Sequence, residues 1–113
     1  MRYIGLDVHL LQSTICILDK NGKRIRRQTI RGRWDIVIGE LRKIKKPFAI
    51  CFEASTGYGY LFEKLSQIAK RVLVAHPGQL RLIFRSKRKN DRVDAEKLAK
   101  LLYLDAVPTV YVP

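Results

Sequence analysis

Acids are scarce in this chain. Ten Asp and Glu stand against 23 Lys and Arg, for a formal net charge of +13 over 113 residues. That balance argues against a basic partner and points a solvated surface toward a polyanion, with solubility or membrane-surface attraction as the blander uses of such charge. Cysteine is almost absent. Cys16 and Cys51 lie inside the apolar runs TICIL and FAICFE, so they read as buried free thiols of a reducing cytosol. No C-x-x-C pair or His/Cys cluster suggests zinc. No apolar run approaches the roughly 18 residues that span a bilayer. The opening MRYIGLDVHL is charged too early for a signal peptide. Repeats and low-complexity stretches are missing as well.

What is present is globular. Hydrophobic residues make up 47% and charged residues 29%, which is not the composition of a disordered chain. The length suits one domain with a core, not two. The cations are clustered: six fall in residues 23–33, four in 42–46 and six in 81–92.

Periodicity divides the chain. RYIGLDVH and STICILD read as strands. DKNGK follows, and Asn21-Gly22 is a strong hairpin signal. KRIRRQTI is then a third strand, antiparallel to the second, whose cations suit an edge or a solvent face. RWDIVIGELRKI fits a helix with Gly39 as its weak point. PFAICF is a continuous apolar run, the mark of a strand buried on both faces. GYLFEKLSQIAK is a second helix, with Leu61, Leu65 and Ile68 along one stripe. RVLVAH is a fifth strand, stopped at Pro77-Gly78. Residues 79–90 have no clear local state, 91–104 form the last helix, and AVPTVYVP is an extended tail. The order β-β-β-α-β-α-β-α predicts an α/β domain with a mixed sheet flanked by helices.

The few acids stand in telling places. On a helix over 91–104, Asp91, Asp94, Ala95, Leu98, Leu101 and Leu102 share one side. Asp91 suits an N-cap with Asp94 in the first turn, but capping alone does not account for Asp94 on the inward stripe. Asp7 is a charge within an apolar strand, which costs several kcal/mol unless paired or bound to a cation. A neighbouring Arg or His is its simplest partner. Glu53 ends the buried run PFAICF, where open α/β sheets place their sites; capping the next helix is its simpler role. If the first and fourth strands are neighbours, Asp7 and Glu53 converge, and the last helix can bring Asp91 and Asp94 over them. Four carboxylates together call for a hard divalent cation, and two such ions can serve a phosphodiester displacement.

Three segments, IGLDVH, FEASTGYG and KNDRVDAEKLAKLL, resemble in order the N-terminal domain of the DEDD transposases of the insertion-sequence one-hundred-and-ten family, which includes pilin-gene invertases. The resemblance covers residue 1 to about 108. It implies a ribonuclease H-like (RuvC-like) fold with a five-stranded sheet in order 3-2-1-4-5. It implies a quartet of catalytic metal ligands at Asp7, Glu53, Asp91 and Asp94, binding Mg²⁺ or Mn²⁺. It implies DNA as partner, a structured guide RNA in part of the family, a homo-oligomer in the full-length protein, and a cytoplasmic, nucleoid-associated protein of a prokaryote. Residues 1–108 would be the domain. Residues 109–113 would be a tail toward a linker and a second domain that carries a serine nucleophile. Ser13, Ser55, Ser66 and Ser86 match no such nucleophile, so these residues alone are expected to bind metal and nucleic acid, and at most to nick DNA slowly.

Arg24, Arg26, Arg27, Arg31, Arg85, Lys87, Arg88, Lys89 and Arg92 are the expected nucleic-acid contacts, with a solvated loop as the alternative for the later ones. His9 reads as an ordinary satisfied histidine, with a place beside a metal as its sharper role. Ser55 and Thr56 read as caps of the following helix. Tyr58 and Tyr60 suit packing or base stacking, and Trp34 suits a core anchor. An actin-like ATPase half shares the strand–hairpin start but needs a glycine-rich phosphate hairpin that DVHLLQS lacks. A non-catalytic nucleic-acid-binding module is the remaining rival. It gains nothing from inward carboxylates.

Overall fold

The computed structural model describes residues 1–84 and 93–110. Five strands form one sheet: β1 (Arg2–Asp7), β2 (Gln12–Leu18), β3 (Arg24–Arg31), β4 (Phe48–Glu53) and β5 (Arg71–Ala75). Their order is β3-β2-β1-β4-β5. β1 pairs antiparallel with β2 and parallel with β4. The sheet is therefore mixed, with its switch of direction at β1, as the ribonuclease H-like expectation requires.

Four helices flank it among the described residues: α1 (Trp34–Arg42), α2 (Tyr58–Ser66), α3 (Pro77–Ile83) and α4 (Ala95–Tyr103). One core joins α1 and α2 to the sheet through Val37, Leu41, Leu61 and Leu65 against Ile4, Leu6, Ile15, Ile50 and Phe52. On the other face Leu80 of α3 and Leu98, Leu101 and Leu102 of α4 pack on Ala49, Cys51 and Ala75. β4 is buried from Phe48 through Phe52, which is why its sequence is apolar without alternation. Gly39 does not break α1; a side chain there would meet nothing within 4 Å.

Three local features differ from what the sequence predicts. Residues 77–83 form a helix, α3, rather than an undefined stretch. Pro77 takes its first turn, and His76 caps it by accepting from the Gln79 amide at 3.2 Å, because proline suits a position whose N–H has no helical partner. Ser55 and Thr56 do not cap α2. Gly57 holds the N-cap position at φ 82°, with no side-chain cap bond, a left-handed conformation that glycine adopts at least cost. The last helix begins at Ala95, not at 91, and Asp94 is its N-cap, accepting from the Lys97 amide at 2.9 Å.

α4 lies unusually close to the sheet. A Cβ built on Gly5 would overlap the carbonyl oxygen of Ala95 and stand 2.6 Å from the amide nitrogen of Ala99. One turn further along α4, the Tyr103 ring meets Tyr3 edge-on at 5.2 Å. α4 thus runs antiparallel to β1, with its N-terminus over the strand's carboxyl end.

Candidate functional site

Strand alternation decides which way the acids point. Tyr3 and Gly5 face α4, so Asp7, two residues on, lies on that face too. Ala49 and Cys51 pack in the α4-side cluster, so Glu53 shares it. The parallel register pairs Leu6 with Phe52, and one step further come Asp7 and Glu53. Adjacent strands stand about 4.8 Å apart. Asp94 is held at the N-terminus of α4, and the Gly5 contact sets that terminus over the same end of β1. Three of the four expected carboxylates are therefore brought to one edge and one face of the sheet. Asp91 lies outside the described residues.

Proximity is not yet coordination. Among the described residues, no three His, Cys, Asp or Glu side chains gather closely enough to hold a metal ion. Asp7 Oδ1 stands 3.4 Å from His9 Nε2, so the histidine partner expected as the plain reading of Asp7 is present. Asp94 caps a helix, contrary to the expectation that capping leaves it unexplained. The donor set is nevertheless all carboxylate oxygen, the chemistry that Mg²⁺ and Mn²⁺ prefer. A carboxylate has about four lone-pair sites, so accepting one amide bond leaves Asp94 chemically able to do more.

The basic residues divide by face. Across β2 and β3, Asp7 is aligned with Thr14 and Thr14 with Thr29, and the two threonine hydroxyls are 3.5 Å apart. Arg27 lies opposite Cys16 and Arg31 opposite Gln12, so both flank that row on the carboxylate face. A register shift between Ile17 and Leu18 returns Arg24 to this face, where it pairs with Glu96 of α4 at 3.1 Å. Glu96 also meets Lys100 at 3.5 Å. Arg26, opposite Ile17, falls on the α1 side. β3 is exposed along most of its length. Arg85, Lys87, Arg88, Lys89 and Arg92 lie outside the described residues.

Two thiols, Cys16 and Cys51, are buried under this face. Burial pushes Cys51 up to about 12. Burial, and then the Glu96 charge, raise Cys16. Ser13 is fully buried and accepts from the His9 amide at 3.4 Å, which ties the connection after β1 to the start of β2.

On the other face of the same edge is a feature the sequence reading weighed only piecemeal. Trp34, at the start of α1, stacks with Tyr60 of α2 at 6.2 Å and 23°. Trp34 is partly buried against the main core, as expected of an anchor, while Tyr60 is 51% exposed. With Leu10, Arg33 and Asp35 they line a cleft of about 290 Å³. No helix among the described residues is long and apolar enough to cross a membrane.

Residues 4–112 match the family model of the IS110-type DEDD transposases, described as Transposase. Among curated proteins, none matches the chain.

Proposed function

The chain belongs to the IS110-type DEDD transposase family, and from that premise we propose that it is the metal-binding catalytic domain of a transposase, acting on DNA phosphodiesters. The observation that supports the reading is the parallel register of β1 and β4, in which Asp7 and Glu53 come next after the Leu6–Phe52 pair, at the strand ends under the N-terminus of α4. Asp7, Glu53, Asp94 and Asp91 are the ligands in this reading. A bound Mg²⁺ or Mn²⁺ would polarise a phosphoryl oxygen and lower the pKa of bound water. The chain's own residues do the rest. Arg27 and Arg31 neutralise DNA phosphates beside the carboxylates, and Thr14 and Thr29 offer hydroxyls between them. Glu96 holds Arg24 against α4 and also pairs with Lys100. Strand exchange would further require a nucleophile to keep a covalent DNA end. In the full-length protein, a second domain would supply it, with a guide RNA and oligomeric partners as further requirements.

The direct test is Mn²⁺ binding followed by proton relaxation of water. Wild-type protein should bind, and Asp7→Asn should weaken binding at least tenfold. Binding equal in both proteins would remove Asp7 from the site. A non-catalytic nucleic-acid-binding module is the second reading. It is favoured by the His9–Asp7 contact and by the cap at Asp94, and it requires that Mn²⁺ not bind at all.

A further inference from the structure

We propose that the cleft between Leu10, Trp34 and Tyr60 takes one unpaired nucleobase of a DNA strand whose phosphates run along the carboxylate edge. The inference rests on the phosphodiester reading above and deepens it by naming the form of the substrate.

Leu10 and Tyr60, which line the cleft, are exposed, and so are Leu11 beside Leu10 and Ile36 in the helix of Trp34. Leu10 is 71% exposed, Leu11 62%, Tyr60 51% and Ile36 49%. Tyr60 and Trp34 line the cleft as a stacked pair, and a base would extend or enter that stack, since base–aromatic stacking is open to any unpaired base. The surrounding charge is mostly positive. Arg33 lines the cleft beside a single acid, Asp35. Lys64 Nζ stands 5.7 Å from the centre of the Tyr60 ring. A second copy of this chain would set these cations against their own duplicates, within a domain of net charge +13. A nucleic acid brings phosphates to the same cations and a ring to the same aromatics.

Position links the cleft to the carboxylates. Leu10 lies in the connection from β1 to β2, three residues after Asp7. Trp34 follows the end of β3, and Tyr60 follows the end of β4. The cleft and the acids therefore occupy opposite faces of one sheet edge. A strand crossing that edge would set a phosphate by Asp7 and Glu53 through the divalent cation of the proposed site, and could turn the neighbouring base round to Trp34 and Tyr60. A paired duplex cannot present a ring there without flipping it.

Trp34 is the sole tryptophan, so its emission reports on the cleft. The 113-residue chain is titrated with oligothymidylate of about ten nucleotides, with a base-free deoxyribose-phosphate chain of equal length, and with blunt duplex. Labelled-oligonucleotide anisotropy follows binding in parallel. Oligothymidylate should quench Trp34 and bind more tightly than the base-free chain. Tyr60→Ala should weaken oligothymidylate binding about 5- to 100-fold and leave the base-free chain unaffected, while Tyr60→Phe should bind as wild type. Tyr60 is half-exposed, and an unchanged melting temperature confirms that the variant folds. Three results overturn the proposal: equal affinity for the base-free chain, equal quenching by duplex, or an emission change that follows protein concentration and a doubled mass without any nucleic acid. If base-free chain and duplex bind but thymidylate binds no better, the base cleft fails and the phosphodiester reading stands. If none of the three binds, both fail.

Discussion

Gly5 lies directly beneath the backbone of Ala95, with no room for a Cβ between them. This contact seats the N-terminus of α4 on β1 and places Asp94 at the strand's carboxyl end. Gly5→Ala must lift the helix or bend the strand. Overpacking of this kind costs about 1–3 kcal/mol and occasionally more, and each kcal/mol lowers the melting temperature of a domain near this size by about 4–8 °C. Thermal unfolding by circular dichroism measures it. Gly39→Ala, in open space on α1, should instead raise stability slightly, by up to about 1 kcal/mol.

Asp94 has a cap to make and, in the proposed site, a metal to bind. Two substitutions separate these roles. Asp94→Ala removes both and should cost about 1 kcal/mol through the lost cap. Asp94→Ser keeps a capping oxygen and loses the carboxylate, so its stability without metal should stay near wild type. Mg²⁺ at tens of millimolar should raise the melting temperature of wild type, because a ligand that binds only the folded state stabilises it. The gain should shrink in both variants. A full gain in Asp94→Ser would make Asp94 a cap and nothing more.

The strands were legible because burial patterns write themselves into residue type. PFAICF is apolar throughout because β4 is covered on both faces, and KRIRRQTI is basic because β3 is an exposed edge. Asp7 and Glu53 stood out because each charge ends an apolar strand. A histidine partner for Asp7 is also expected from the sequence, and His9 supplies it from the connection just beyond β1. α3 is not legible because Pro77-Gly78 signals a strand stop in sequence, although proline also opens helices. The cap at Asp94 was misplaced because the periodicity of α4 extends acceptably back to 91, and only the dihedral angles show where the turn begins. The Trp34–Tyr60 cleft was not legible as a unit. Its parts lie on different helices, and Trp34 reaches Tyr60 only because Gly57 has no side chain to fill the space. A Cβ there would stand 2.8 Å from the indole.

Burial also sets the behaviour of the two thiols. The Cys51 thiol is pushed up to about 12 by burial, whereas an unfolded-chain thiol ionises near 8.5. Folding therefore favours the protonated form, and this stability is present in full below about pH 8.5. Above that pH the unfolded chain releases its proton first, and stability falls until the folded thiol ionises as well. Cys16, raised in the same direction, adds to the fall. Denaturant midpoints measured from pH 7 to pH 10 should decline, and Cys51→Ala should flatten that decline. Neither thiol should react with an aromatic disulfide reagent at pH 8 until the protein unfolds.

Arg27, Arg31 and Arg24 all project from the carboxylate face of β3, but among the described residues only Arg24 is held by an acid, at 3.1 Å from Glu96. An arginine released from an internal ion pair gains less from a phosphate than one that faces solvent alone. DNA affinity should fall steeply with salt, because each neutralised phosphate releases counterions and contributes a slope of about −0.9 in log K against log salt on duplex. Arg27→Ala and Arg31→Ala should each reduce the magnitude of that slope by about 1. Arg24→Ala should change it less, and Glu96→Gln should bring Arg24 into play and steepen it. Fluorescence anisotropy of a labelled duplex between about 50 and 200 mM salt gives all the slopes in one experiment. Equal effects of Arg24→Ala and Arg27→Ala would mean that the Glu96 pair opens at no cost when DNA arrives. A slope unchanged in every variant would move the DNA path off this face altogether.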